Sequence, residues 1–273
     1  MQDLMIWLTQ DVPANALEGI RFEAQRYAIG TLGVFFAIWI ALEPLLKNRK
    51  IRKPTPRKKQ VRMELANSFK TICVFVALDI VIFDLGQYGI FQKYDDIAEY
   101  GWVWYWISIP LALAIHDTYF YWTHRAMHSS ALYKRFHLTH HRSHNPTPFT
   151  AYSFAVGEAV VEYAVVPMIL IMMPMHGSAL AIYLLIMIFK NASAHCGYEL
   201  FPRGTTRNPI LKHLTTVTHH DMHHQYANGG NYGFYFTGWD KLMGTEHPDY
   251  EARFDEVTAG KTRWVQGETT AAA

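Results

Sequence analysis

Two cysteines among 273 residues, Cys73 in an apolar tract and Cys196 beside His195, with no CxxC pair, leave a disulfide framework and a zinc ribbon without support. No cysteine motif for haem attachment or an iron–sulfur cluster occurs either, so electrons for any redox reaction must arrive from another protein. Charge is sparse: 18% of residues are charged and the formal net charge is +2. Basic and aromatic residues do not interleave, which argues against a nucleic-acid surface. The first 26 residues lack a basic n-region and carry Asp3, Asp11, Glu18 and Glu23, so they do not read as a cleaved signal peptide. Internal repeats and low-complexity tracts are also absent.

What the chain has in quantity is apolar sequence, 50% of residues, gathered in long blocks. That distribution predicts an integral membrane, all-α bundle of about four to five membrane helices. Residues 1–26 read as an exposed or interfacial lead-in, 27–247 as a single transmembrane domain, and 248–273 as a polar, peripheral tail. The first span is expected from Tyr27 to Leu46, the second from Phe69 to Phe91 and the third from Trp102 to Trp122. Two shorter runs between 159 and 190, broken by Pro174, His176 and Gly177, suggest a hairpin that enters and leaves by one face. Asp79 and Asp84 lie inside the second block, where a carboxylate is costly and faces protein or water.

Residues 47–62 hold nine Lys or Arg and no acid, which places them on the cytoplasmic side under the positive-inside rule. Parity then carries the second block outward and the third, opening with Trp102, Trp104 and Trp106 as an interfacial belt, back inward. A bacterial inner membrane is expected in preference to an endoplasmic reticulum.

The third block ends in the chain's main signal. His124 and His128 stand at HxxxH spacing, followed by His137, His140 and His141 at HxxHH, and His220, His223 and His224 repeat the HxxHH pattern. With 15 histidines in the chain, one HxxHH is expected by chance roughly 0.05 times. Helical residues at i, i+3 and i+4 project to a common side, so each box aims imidazoles in one direction. Neutral imidazole is the commonest protein metal ligand, and eight exceed what one tetrahedral zinc uses. A two-metal site fits the count, and parity puts every box on the cytoplasmic side.

The ordered set HDTYFYWTHRAMH, HLTHHRSHNPTPFTAYSF, HCGYE and HHDMHH, with NYGFYFTGWDKLMGT at its end, resembles the fatty acid hydroxylase and sterol desaturase superfamily over roughly residues 100–247. PTPF after the second box and Glu158–Ala159 beyond it look most like the sterol desaturase branch, although Ala155 and Val156 stand where that branch carries a His-Pro pair. The resemblance implies two iron ions held by histidine, dioxygen as co-substrate, and attack on an unactivated C–H bond of a lipid, giving hydroxylation or desaturation. It also implies an external electron-transfer protein, of ferredoxin or cytochrome b5 type, with its reductase. His195, in NASAHCGYE, resembles a further family ligand.

Asp117 lies two helical turns before His124, on the same face, and is expected to accept an imidazole N–H. His116 points away from that stripe, His219 and His144 are weaker candidates, and His176, His213 and His247 read as surface or packing residues. Glu158 and Glu162 suit the edge of the hairpin, either interfacial or lining a polar path. The competing class is a membrane carrier or sensor that uses the histidines for zinc. Transporter ligands belong near mid-bilayer, however, and these boxes lie in polar flanks.

Overall fold

The computed structural model describes residues 5–225 and 230–261, and helices dominate it. α1 (Thr9–Ala41) starts within one π-helical stretch, Trp7–Asp11, and is continuous through two more, Ala28–Leu32 and Ala37–Ala41. It runs through the end of the expected lead-in, whose described residues are therefore helical. Gly19, Glu23 and Arg26, at i, i+4 and i+7, form a buried stripe there.

α2 (Lys58–Gly86) begins beyond Pro54 and Pro56 and stops short of Phe91, where the second span was expected to end. α3 (Gly101–Met127) runs straight into the first histidine box. α5 (Val156–Met172) and α6 (Gly177–Ala194) form the expected hairpin, with arms of 17 and 18 residues where about 15 and 13 were expected from hydropathy. Between α3 and α5 lies α4 (Leu138–His141), a single turn. Beyond the hairpin come α7 (Val217–Gln225), α8 (Gly238–Leu242) and α9 (Tyr250–Thr258).

Two helices, Thr9–Ala41 and Gly177–Ala194, are long and apolar enough to cross a membrane. α2 and α3 contain most of the other expected spans. Lys70, Asp79 and Asp84 interrupt the apolar half of α2, and much of the apolar surface of α3 is tryptophan and tyrosine.

The bundle has two distinct ends. At one, β1 (Lys93–Tyr94) in the α2–α3 loop pairs in parallel with β2 (Met175–His176) in the hairpin turn, so the hairpin is as deep as the α2–α3 pair. At the other, the basic segment docks beside the histidine boxes. Ile51 N donates to Gly197 O at 3.0 Å, Glu199 N to Arg49 O at 2.9 Å, and Arg52 pairs with Asp221 at 2.9 Å.

The expected peripheral tail is helical over α9. Tyr250, Phe254 and Val257 line one face, and the first two pack against Met222 beneath the third box. A polar average over the tail hid this apolar stripe, because the three residues are spaced by four and three. Residues 262–273 lie outside the described residues.

Candidate metal centre

All nine sequence-predicted histidines converge, and they sort into two groups. His124, His128, His137, His141 and His223 form the first; His140, His195, His220 and His224 form the second; within each, the ligand atoms lie within 4.8 Å of one another. Every one is at least 92% buried, His128 being the most exposed at 8%.

The sorting follows from helix geometry. Successive residues of an α-helix are rotated by about 100°, so i and i+4 lie about 40° apart while i+3 diverges from i+4 by about 100°. In the second box His137 and His141 therefore enter the first group and His140 the second. In the third box His220 and His224 enter the second group and His223 the first. Each HxxHH triplet thus serves both groups with opposite allotment. α3 adds His124 and His128 to the first, and the C-cap of α6 adds His195 to the second.

Nε2 faces Nε2 across both groups. His124 and His137 stand 2.9 Å apart, His128 and His223 3.1 Å, His141 and His223 3.0 Å, and His141 and His128 3.2 Å. In the second group His220 and His195 are 2.9 Å apart and His195 and His140 3.3 Å. Imidazoles sharing a metal at about 2.1 Å, with bond angles of about 90–109°, place their nitrogens about 3.0–3.4 Å apart. The residues present therefore fit a pair of metal ions.

Backbone and carboxylate acceptors orient the rings. Nδ1–H of His124 donates to Tyr232 O at 3.0 Å, that of His223 to Gly230 O at 2.9 Å, that of His195 to Asn191 O at 2.8 Å, and that of His137 to Glu158 Oε1 at 2.6 Å. With Nδ1 protonated, the Nε2 lone pair points inward, as coordination requires. Neither ring nitrogen of His224 has a hydrogen-bond partner among the described residues. Burial drives the pKa values of His140, His141, His220 and His224 well below normal, and that of His223 down to about 4, so these rings are neutral near pH 7.

Asp117 does not take the expected role. Its Oδ1 accepts from Tyr235 N at 2.7 Å and Phe236 N at 3.1 Å, so it holds the loop before α8 instead of an imidazole. Helical phase predicted its face correctly, but not that a distant loop would insert between it and the histidines. The carboxylate that does orient a ligand candidate is Glu158, 1% exposed at the start of α5.

Asp240 went unmarked in the sequence. It accepts from Tyr232 N at 2.9 Å and Gly233 N at 2.7 Å, fixing the loop whose carbonyls take the protons of His124 and His223. It also accepts from Thr245 Oγ1 at 2.7 Å, and the two contacts that fix the loop are to backbone groups, which sequence does not distinguish. His116 bonds the hydroxyls of Tyr183 and Tyr235, and His219 packs on Tyr250 with Nε2 3.6 Å from Asp240; both lie outside the two groups. His144, whose carbonyl accepts from Arg52, is likewise outside them, and His176 sits in the hairpin turn as expected.

A buried cage of two histidine groups at the end of an apolar helical bundle defines a class: membrane proteins with a histidine centre suited to metal binding. The chain belongs to the fatty acid hydroxylase family, which it matches over residues 109–245. It is similar to lathosterol oxidase of Mus musculus, 29% identical over 222 residues covering 78% of this chain and 71% of the relative. The Homo sapiens lathosterol oxidase is 30% identical over 218 residues, 77% and 69% of the two chains. A Delta(7)-sterol 5(6)-desaturase of Gibberella zeae is 30% identical over 189 residues, 69% and 56%.

No solved structure matches. These relatives support the sterol branch and make the chain an oxidoreductase of membrane lipids. They come from animals and fungi and lend nothing to the expected bacterial inner membrane.

Proposed function

We propose that the protein is a di-iron, dioxygen-dependent oxidoreductase that hydroxylates or desaturates a sterol or fatty acyl lipid, with its active site on the cytoplasmic side of the membrane. The observation that carries the reading is the division of nine buried imidazoles into groups of five and four with Nε2 atoms turned inward. His124, His128, His137, His141 and His223 would hold one iron, and His140, His195, His220 and His224 the other. Imidazole suits iron. Bound iron supplies dioxygen activation and cleavage of an unactivated C–H bond.

The chain's own contribution is positional. Glu158, Asn191 O, Gly230 O and Tyr232 O keep four Nδ1 protons pointing outward, so the matching Nε2 lone pairs stay available. Burial of the cage excludes water, which protects an oxidising centre from side reactions. Desaturation takes two protons and two electrons from the lipid, and reduction of dioxygen to two waters needs two further electrons and two protons. With no haem or iron–sulfur motif in the chain, those electrons come from an external ferredoxin or cytochrome b5 type partner with its reductase.

Contact between the basic segment and the box-bearing end supports the cytoplasmic placement, since that segment is the positive-inside determinant. Outward-facing Phe69, Val103, Trp106 and Ile171 on α2, α3 and α5 support a bundle of four to five membrane helices, because such side chains belong in lipid.

Metal analysis of the purified chain, with lipid extracts compared after anaerobic and aerobic incubation with a reductant, tests the reading. About two irons per chain and an oxygen-dependent gain of one oxygen or loss of two hydrogens are expected. A single zinc with unchanged lipids would favour the carrier or sensor instead.

A further inference from the structure

Tyr232 packs against the first histidine group, its ring centroid 5.2 Å from that of His128, 5.6 Å from His223 and 5.7 Å from His124. From it a line of oxidisable rings leads outward. Tyr121 on α3 lies 6.3 Å from Tyr232, Trp239 on α8 is stacked 5.8 Å from Tyr121 with the planes 20° apart, and Trp122 is 5.6 Å from Trp239. Tyr121 is fully buried while Trp122 is 44% exposed, so the line joins the cage to the surface. The cavity inside the bundle lies elsewhere. Glu23, Arg26 and Asp79 stand in its wall, it meets the second group at Phe154 and Asn191, and none of the four rings lines it.

The Tyr121 hydroxyl has a route for its proton. Thr245 Oγ1 gives its single proton to Asp240 Oδ1 at 2.7 Å, so across the 3.0 Å contact between the two hydroxyls Tyr121 is the donor. Both steps are short enough for proton transfer. Arg125 Nη1 donates to the same phenolic oxygen at 3.2 Å, and its guanidinium carbon lies 6.0 Å from the centre of the Trp122 ring. A phenol gives up an electron readily only when its proton can leave as well, because the oxidised ring is a strong acid. Packing calls for none of this, since Tyr121→Phe would keep the stacking on Trp239.

We propose that Tyr232, Tyr121, Trp239 and Trp122 form an electron relay that gives the protein a second activity: reduction of dioxygen to water by a small one-electron donor in solution, ascorbate for example, when no lipid occupies the site. This rests on the di-iron, dioxygen reading above. Tyr121 gives one electron to the oxygen-charged centre across the Tyr232 ring, and its proton moves through Thr245 to Asp240. Trp239 then refills Tyr121, which takes its proton back, Trp122 refills Trp239, and ascorbate refills Trp122 at the surface. Each pass oxidises one ascorbate to its radical and releases one proton. Two passes therefore supply the two electrons and two protons that a lipid surrenders on desaturation, and with the donor protein's two electrons and two further protons dioxygen ends as two waters. Without the relay the nearest oxidisable groups are the ligand imidazoles, which it spares.

The purified full chain in detergent, loaded with iron, reduced and mixed with dioxygen in the absence of lipid, tests the proposal by rapid-freeze EPR and by mass spectrometry of its peptides. Tyrosyl and tryptophanyl radicals are expected, together with ascorbate consumption that quenches them. In Tyr121→Phe the tryptophanyl signal should be lost and oxygen added to the peptides of His124, His128 and His223 should rise severalfold at unchanged iron content. In Trp122→Phe the radical should persist while ascorbate quenches it severalfold more slowly. Absence of any Tyr or Trp radical in the iron-loaded natural chain, or unchanged histidine oxidation in Tyr121→Phe, would overturn the relay. Trp122→Phe, at an exposed position, decides the matter should Tyr121→Phe fail to fold.

Flash photo-oxidation separates the relay from the iron reading. A ruthenium tris-bipyridine label on Met243→Cys, exposed one helical turn beyond Trp239, with Cys73 replaced and Cys196 buried, should oxidise the tryptophans of the iron-free chain and then yield tyrosyl absorbance. Tyr121→Phe should remove that absorbance, and a tyrosyl yield that this variant leaves unchanged would overturn the relay. A chain that binds no iron yet forms the tyrosyl after the flash would overturn the di-iron reading and with it the dioxygen activity, leaving conduction along the rings standing.

Discussion

At the scale of single residues, the site depends on which nitrogen each imidazole presents, and that choice is made by neighbours that touch no metal. Glu158 is the one carboxylate among the identified acceptors of the ligand candidates, and Glu158→Gln replaces the oxygen that takes the His137 proton with an amide that can also present its NH2 to the ring. Metal affinity should fall about 10–100-fold, read by competition with a chelator. An unchanged affinity would mean that His137 is held by packing alone.

Gly230 acts through its backbone. Its φ is +91°, and an added Cβ would lie 1.9 Å from Thr245 O. Gly230→Ala therefore has to move the carbonyl that takes the His223 proton, and metal occupancy measured after purification should drop. His140→Ala should empty one of the two centres, taking the metal count from about two to about one per chain, without preventing membrane insertion. Full occupancy in that variant would refute its role as a ligand.

At the scale of elements, the third box is a nine-residue helix that leans on α9. Phe254 is fully buried there, so Phe254→Ala should lower stability by about 3–5 kcal/mol, followed as a drop in thermal midpoint, and should also loosen metal binding. Loss of stability with unchanged metal retention would separate the prop from the site. The second box shows how little helix the chemistry needs. α4 is one turn long, yet one turn suffices to send His140 and His141 into different groups.

For the whole molecule, the two-ended bundle makes a topological prediction. With Cys73 and Cys196 replaced, a cysteine introduced at Arg57 and another at Asp95 should react with an impermeant reagent from opposite sides of the membrane, the first from the cytoplasm. Reaction of both from one side would end the reading of α2 as a crossing. The tie between the basic segment and α7 through Arg52 and Asp221 carries the same message internally, since charge pattern and histidine placement were separate signals in the sequence.

Much of this was legible beforehand. Spacing identified eight of the nine histidines, because helical periodicity is local and imidazole chemistry has few other uses at that density, while His195 was marked only by its resemblance to a family ligand. Asp117 was misassigned, Asp240 passed unnoticed and α9 was read as peripheral, all for one reason: their partners lie far along the chain or are backbone groups without identity.

The sequence by itself determined which residues would gather and that they would sit at one end of an apolar helical bundle, since ligand type, spacing and hydropathy are carried by neighbours within a few turns. Only the tertiary structure decided how the nine divide into five and four, which acceptors set their tautomers, and that Glu23, Arg26 and Asp79 meet along a cavity wall. Those outcomes depend on the angles and depths at which separate helices pack, and no single segment encodes them.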